Sequence, residues 1–450
     1  MALKKLKRLP PIKTYVINLS HRVERRKNVI KEFSYRSEFD VSIVEAIEEQ
    51  FGALGLWKTI CMIITQAYRQ NINYILICED DHKFTSAYSE RKLRQSIEKA
   101  HLLEADILLG GASWIEDSVM VDKQLFWTKS FSGLQFTIIF KKFFDKILNA
   151  NLVNYDAADH YICNLSNNIL LMHPFVSKQR GYPYSDVTPL NNERGRVERL
   201  FHYSSAKLTR LRKISHYFKN IQCKGEIIAL WDVEETMIPT YIINLRKRAD
   251  RKRHILKQFK SRTEFQINFC YGVWNENGKV GLWESIRNVI KLANEKDEDV
   301  ILICEDDHEF LPNYEKGFLI ENIIKAYELG ADVLLGGVSN FQSAVKATDN
   351  LFWVSEFYCT QFMIVYKKIF DSILNANYNN STTADGIISS IATNKLVMHP
   401  FVSIQKDFGY SDITARSSSE IKSTVPFFDT MKRFDLMAIK QKQLDNLNGR

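Results

Sequence analysis

The chain carries one long stretch twice. Thr14-Tyr15-Val16-Ile17-Asn18-Leu19 returns as Thr240-Tyr241-Ile242-Ile243-Asn244-Leu245, an offset of 240 − 14 = 226 residues. The octapeptide ILICEDDH occupies 75–82 and again 301–308. Leu108-Leu109-Gly110-Gly111 recurs at 334–337, and Met172-His173-Pro174-Phe175-Val176-Ser177 at 398–403, at the same offset. A repeat of this length is a duplicated domain, since solenoid units span only about 20–50 residues. Whatever fold one copy adopts, the other adopts as well, and 450 residues suffice for two cores. The reading divides the chain into a first domain over 1–190, a basic helical linker over 191–237, a second domain over 238–416 and a helical tail over 417–450.

Within a copy, apolar periodicity alternates between two forms. Residues 14–19, 39–46, 74–78, 105–109 and 136–140 are short apolar runs of strand length. Residues 21–33, 56–69 and 142–150 carry apolar positions at helical spacing. The run 74–78 has no polar alternation, which marks a strand buried on both faces. Strands alternating with helices predict an α/β unit with a mostly parallel sheet.

Composition narrows the class. Hydrophobic residues make up 45% and charged residues 25%, the balance of a globular chain rather than a disordered one. No apolar stretch approaches the roughly 20 residues that cross a bilayer. The basic N-terminus lacks a following apolar segment, so a secretory signal is not expected. Seven cysteines without CxxC spacing point to reduced thiols and a cytoplasmic location. The net charge of +8 permits an anionic partner without requiring one.

The chemistry concentrates at the end of the buried strand. Ligands of open α/β sheets bind outside the carboxyl ends of the strands, and there the chain places Glu79-Asp80-Asp81, with Glu305-Asp306-Asp307 in the second copy. Three adjacent carboxylates repel one another where solvent is excluded. A hard divalent cation, Mn²⁺ or Mg²⁺, relieves that repulsion and takes phosphate oxygens and water to complete its shell. The competing reading has Asp80 or Asp81 capping a following helix. Asp159 and Asp385 occupy matching positions. Each is a candidate base for an acceptor hydroxyl, or else an ordinary helix N-terminal Asp. His173 and His399 are candidates for the metal shell or for structural histidines. Arg22, Arg25, Arg248 and Arg251 follow the first strand of each copy, near a helix start where anions are favoured; exposed helix-face charge is the alternative. Trp57, Trp127, Trp283 and Trp353 suit base stacking less well than core packing.

Taken in order, these residues resemble a known family. An opening Tyr-Val-Ile-Asn-Leu with nearby arginines precedes Glu-Asp-Asp after an apolar strand. An isolated Asp comes next, then a Gln with a later Ser-Asp near the domain end. The order is similar to that of family 25 glycosyltransferases, which include lipooligosaccharide and collagen galactosyltransferases. The resemblance covers about 14–188 and 240–414. It implies a GT-A-like fold, a nucleotide-sugar donor such as UDP-galactose or UDP-glucose, Mn²⁺ dependence and inverting transfer to a glycan or glycoconjugate. By position it implies that Glu79-Asp80-Asp81 and Glu305-Asp306-Asp307 are the metal and donor motif and that Asp159 and Asp385 are the family's later acidic position. The residues themselves suggest Asn18, Arg22, Arg25, Glu79 and Asp80, with Asn244, Arg248, Arg251, Glu305 and Asp306, for the donor, Asp81 and Asp307 with His173 and His399 for the metal, and Asp159 and Asp385 for catalysis. Gln179 with Ser185, and Gln405 with Ser411, match the last motif. The chain departs from the family at Thr59-Ile60 and Ser285-Ile286, where many members carry Ser-His, and at His82 and His308.

Two units permit two active sites, or one catalytic domain beside an acceptor-binding one. The basic, apolar-interleaved stretch 194–219 offers a peripheral contact to anionic membrane. It also leaves open a nucleic-acid contact with modified bases as acceptors.

Overall fold

Strand β1 (Ile12–Asn18) opens the first unit with buried side chains at every position but Lys13. It is followed by α1 (Val23–Phe33), β2 (Phe39–Glu45), α2 (Gly52–Arg69), β3 (Tyr74–Glu79), β4 (His82–Phe84), α3 (Glu90–Leu102) and β5 (Ile107–Leu109). Then come β6 (Trp114–Ile115), β7 (Ser118–Met120), β8 (Leu125–Thr128), β9 (Phe131–Ser132), β10 (Thr137–Phe140), α4 (Phe144–Leu148), α5 (Ala158–Leu165), β11 (Ile169–Met172), β12 (Ser177–Gln179) and α6 (Arg196–Gln222). These elements come from a computed structural model that describes residues 10–152, 157–184, 189–222, 236–378, 382–409 and 424–448. The chain forms two compact units, Met1–Arg212 with Lys440–Arg450, and Lys213–Ile439.

The core of unit 1 is an eight-stranded sheet in the order β2-β1-β3-β10-β5-β11-β8-β7. Six strands run one way, and β10 and β8 run against them. Unit 2 repeats the order with Phe265–Tyr271, Ile238–Asn244, Val300–Glu305, Phe362–Tyr366, Val333–Leu335, Lys395–Met398, Leu351–Val354 and Ala344–Lys346. Two tandem α/β units, each with a sheet in which six of eight strands run one way, as expected from the sequence, are therefore present. Strand β3 lies between β1 and β10, and Ile75, Leu76, Ile77 and Cys78 are buried. A strand covered on both faces needs no polar alternation.

A separate two-stranded ribbon, β4 with β12, lies close to the end of β5. The repeated Gly-Gly allows this. A Cβ at Gly111 would stand 2.2 Å from Ser177 O, and the N–H groups of Val176 and Ser177 donate to Gly110 O. The ribbon thereby brings Gln179 opposite His82, immediately after the acidic triplet.

Two expectations about helices shift in detail. The helix expected over 56–69 begins at Gly52, and that expected over 142–150 is a 3-10 turn, Lys141–Phe143, running into α4. The basic stretch around 194–219 forms α6. Within unit 1 its Val197, Phe201, Leu208 and Leu211 are buried, Ser204 Oγ donates to Ser113 O, and Lys207 Nζ donates to Ile115 O. These four apolar side chains pack on the protein, whereas Tyr203 and Tyr217 of the same helix are exposed. Residues of the helix Val425–Asn448 repeat the contacts in unit 2, where Thr430 Oγ1 donates to Ser339 O and Arg433 donates to Phe341 O. Among the described residues no helix is long and apolar enough to cross a membrane.

Candidate functional site

Glu79 is the last residue of β3, and Asp80 and Asp81 form the turn into β4. No helix follows the triplet, so neither aspartate is a helix cap. Antiparallel pairing of β4 with β12 closes the turn, and the N–H of Arg180 donates to Asp81 O at 2.7 Å.

The three carboxylates have different surroundings. Asp80 is the hub of a buried polar network: Asn18 Nδ2 donates to it at 2.9 Å, and Arg22 and Arg25 approach at 3.5 and 3.3 Å. Asp306 repeats the pattern with Asn244 at 2.9 Å, Arg248 at 3.4 Å and Arg251 at 3.1 Å. The structure thus brings Asn18, Arg22 and Arg25 to the triplet, and their matches in unit 2. The arginines are engaged by protein carboxylate. Arg25 is further enclosed between Tyr182 and Tyr184, each ring centroid 4.4 Å from its guanidinium carbon. Such pairs orient one another and are strongly dependent on both partners when buried.

Glu79 accepts from the N–H of Leu134 at 3.1 Å, and Glu305 accepts from Thr360 Oγ1 at 2.7 Å. Burial, then Asp81 and Asp80, holds Glu79 well above its usual range, and burial with Asp307 pushes Glu305 up to about 8. Burial also pushes Asp81 up to about 7, Asp80 adding to it and Arg25 opposing. Asp307 is pushed up to about 6 by burial, although Arg251 and Gln405 donate to its Oδ2 at 2.7 and 3.0 Å. Oδ1 of Asp81 and Oδ1 of Asp307 are buried and accept no hydrogen bond. A buried carboxylate oxygen without a donor is costly.

That chemistry fits a cation. Hard oxygen donors, raised pKa values and an orphaned oxygen at the same place in both units describe a site short of positive charge. Among the described residues no group of three or more His, Cys, Asp or Glu side chains is arranged to hold a metal. A bound ion would take Asp81 or Asp307 together with oxygens from outside the protein.

Asp159 lies in the first turn of α5, close enough to Glu79 to raise its pKa. Its Oδ2 accepts from the N–H of Gly133 and its Oδ1 from the N–H of His160, both at 2.9 Å. Asp385 does the same with Cys359 and Gly386 at 3.0 and 2.8 Å. Each aspartate therefore fixes the loop that donates to Glu79 or Glu305. Position 133 is a glycine with φ +107, whereas Cys359 holds φ 85 as a non-glycine. Such a backbone needs support from its surroundings, and the Asp385 bond supplies some of it.

The histidines assigned to the metal shell are elsewhere. His173 Nε2 faces Ser205 O at 3.1 Å and Thr209 Oγ1 at 3.2 Å on α6. His399 Nε2 faces Asp435 at 3.1 Å on the helix Val425–Asn448. Both sit against the C-terminal helix of their unit, and burial lowers their pKa values, to about 4 for His173. This corrects the metal-shell expectation and favours the structural alternative: Nε2 of each histidine engages a helix that packs on its sheet, not the acidic triplet. His82 and His308 are also structural, each buried with Nδ1 on a serine, Ser177 at 2.8 Å or Ser403 at 2.7 Å. Trp57, Trp127, Trp283 and Trp353 are core residues. Gln405 joins the site and Gln179 lies beside it, while Ser185 and Ser411 lie outside the described residues.

The sequence reading missed the segment between β2 and α2. In unit 2 the matching residues line an open cleft that reaches Glu305 and Asp306 and includes Trp274, which is 61% exposed. Trp274 stands where the first copy has Glu48, a difference visible at the 226-residue offset, but its exposure cannot be read from one sequence.

No protein-family model matches the chain, and no curated protein matches it. Among solved structures it is similar to an apo UDP-glucose pyrophosphorylase at 10% identity, over 44% of this chain and 82% of that one, with a TM-score of 0.26. A UDP-glucose pyrophosphorylase complexed with UDP-glucose gives 10% identity, 42% and 80% coverage and a TM-score of 0.26. The mannose-1-phosphate geranyltransferase from Thermus thermophilus gives 8% identity, 71% and 100% coverage and a TM-score of 0.24. Likenesses this weak carry no argument about function.

Proposed function

We propose that the chain is a metal-dependent glycosyltransferase that moves a hexose from a UDP-sugar to a glycan or glycoconjugate acceptor, with inversion. The observation that carries the reading is the buried Glu-Asp-Asp turn at the carboxyl end of a central strand. Each copy has an aspartate oxygen without a donor, and each is surrounded by fixed Asn and Arg side chains.

When bound, Mn²⁺ or Mg²⁺ would stabilise the negative charge that develops on a leaving diphosphate. Asp81 and Asp307 are the residues to hold it. Asp80 and Asp306 keep Arg22, Arg25, Arg248 and Arg251 in place at the carboxyl end of the sheet, where the donor's phosphates are expected. The transfer is a single displacement. The acceptor oxygen forms a bond to the anomeric carbon as the bond from that carbon to the diphosphate oxygen breaks, and the diphosphate departs with the electron pair. The hydroxyl proton passes to a carboxylate, for which Asp159 and Asp385 are the candidates. Each Asp oxygen accepts one backbone N–H, and a carboxylate oxygen has a further lone pair to offer. Those two bonds fix the carboxylate's direction, which is what a positioned base requires.

The test is release of free nucleotide from UDP-, GDP- and CMP-sugars with Mn²⁺, in wild type, Asp81→Ala, Asp307→Ala and the double variant. Slow hydrolysis of a UDP-sugar that the double variant loses is the expected result. A wild-type chain that neither releases nucleotide nor binds any in the presence of Mn²⁺ would sink the reading.

A further inference from the structure

The segment joining the second strand to the second helix is built alike in both units. In unit 1 the N–H of Ile47 donates to Thr59 Oγ1 at 2.9 Å, and Thr59 Oγ1 donates to Gly55 O at 2.7 Å. In unit 2 the N–H of Val273 donates to Ser285 Oγ at 2.8 Å, and Ser285 Oγ donates to Gly281 O at 2.6 Å. A glycine lets the helix approach the segment in each case. A Cβ at Gly55 would lie 2.2 Å from Ile47 O, and one at Gly281 would lie 2.5 Å from Val273 O. The backbone is thus pinned identically, and the next side chains differ. Unit 1 presents Glu48 and Glu49, and unit 2 presents Trp274 and Asn275.

The difference changes what the lip can bind. Glu48 is exposed 3.7 Å from His21 Nδ1 and Glu49 pairs with Lys58, so the first lip carries carboxylates where the second carries an indole. The second borders an open cleft that Trp274 lines together with Leu245, Leu282, Arg248, Glu305 and Asp306. An exposed indole and the acidic turn on one cleft offer what a nucleoside diphosphate needs: a ring face for the base, and carboxylates that with a cation would take the phosphates. Two glutamates offer no ring and would repel the phosphates.

We propose that Trp274 is the platform on which the donor's nucleobase stacks, and that unit 2 alone of the two units seats the nucleotide. The proposal rests on the glycosyltransferase reading above and adds which unit holds the donor and through which residue. Trp274 is exposed, so its replacement leaves the fold intact.

The test is calorimetric titration of UDP, and separately of inorganic diphosphate, in Mn²⁺ into the full chain, for wild type, Trp274→Ala and Trp274→Phe. One UDP per chain is expected in wild type. Trp274→Ala should weaken UDP by about 10-fold or more, Trp274→Phe should retain most of the affinity, and diphosphate should bind all three alike. Equal UDP affinity in Trp274→Ala, two equivalent UDP molecules per wild-type chain, or a parallel loss of diphosphate binding would each overturn the proposal while leaving the glycosyltransferase reading standing. A wild-type chain that binds no nucleotide removes both.

Discussion

Asp81 is held in a place where its charge is unfavourable, and removing that charge should stabilise the metal-free protein. Its carboxyl rises from 3.8 to about 7 because it is buried beside Asp80, and its Oδ1 accepts nothing. A carboxyl whose pKa is higher folded than unfolded binds more protons in the native state. Stability therefore falls as pH rises from about 4, and the full penalty is present above about 7. At about 1.4 kcal/mol per pH unit, the rise amounts to about 4 kcal/mol. Asp81→Asn keeps the shape and removes the charge but leaves a buried amide to satisfy, at a cost of about 1 kcal/mol. The net gain at pH 8 is about 3 kcal/mol, which for a unit of this size raises Tm by about 6–10 °C. The assay is thermal unfolding in EDTA from pH 4.5 to 8.5, wild type against variant. The gain should be largest at pH 8 and shrink toward zero near pH 4. With saturating Mn²⁺ the order should reverse, because an ion that binds only the native wild type stabilises it by mass action. A variant less stable than wild type at pH 8 in EDTA, or a difference that does not change with pH, would refute the electrostatic account of this turn.

The neighbouring carboxylate should behave in the opposite way: Asp80→Asn leaves Arg22 and Arg25 buried without their counter-charge and should destabilise by about 3 kcal/mol or more at pH 7, read by denaturant unfolding. An unchanged midpoint would mean that the network contributes nothing. His399→Gln should lower Tm through loss of the Asp435 contact yet leave Mn²⁺ affinity by calorimetry unchanged, and weakened Mn²⁺ binding would return this histidine to the metal shell. Gly55→Ala should destabilise by about 1–3 kcal/mol, because the new methyl group meets a backbone oxygen rather than a side chain that can swing away. Full retention of Tm would show that the segment before α2 moves freely.

The fold was legible in the sequence where one physical rule dominates. The run 74–78 reads as a doubly buried strand because burial on both faces removes polar alternation, and β3 is such a strand. Strands β7 and β8 were not foreseen. Each has only three or four residues and joins the sheet by antiparallel pairing beyond β11, a long-range event that leaves no period in the local sequence. Helix α6 was read as a basic linker because its charges dominate its composition, yet Val197, Phe201, Leu208 and Leu211 are buried on one face. At the site, Asn18, Arg22, Arg25 and the triplet were foreseen as neighbours and are neighbours. Their partition was hidden: which aspartate is saturated and which is orphaned depends on side chains 55 to 62 residues away.

The duplication makes a further separation possible. Agreement between the two copies does not distinguish scaffold from function, since Asp80 and Asp306, engaged by arginines, agree as fully as Asp81 and Asp307. The charge on the orphaned group does distinguish them. His82 with Ser177, Gln135 with Gly111 O and their matches in unit 2 are uncharged side chains held by a hydrogen bond, each keeping one buried unpartnered atom, Nε2 or Oε1. Asp81 Oδ1 and Asp307 Oδ1 belong to carboxyls whose pKa values are raised by burial, and two copies keeping the same unfavourable carboxylate oxygen point to a cation that offsets it. Disagreement on a shared backbone carries the complementary information. Glu48 and Trp274 stand on lips with the same hydroxyl clamp and the same glycine approach, so packing does not dictate either side chain. What differs between them is what each lip can hold. Both units thus keep the acidic turn, while the residue that would recognise a donor differs between them, and the place to look for divided labour is the segment after the second strand rather than the carboxylates.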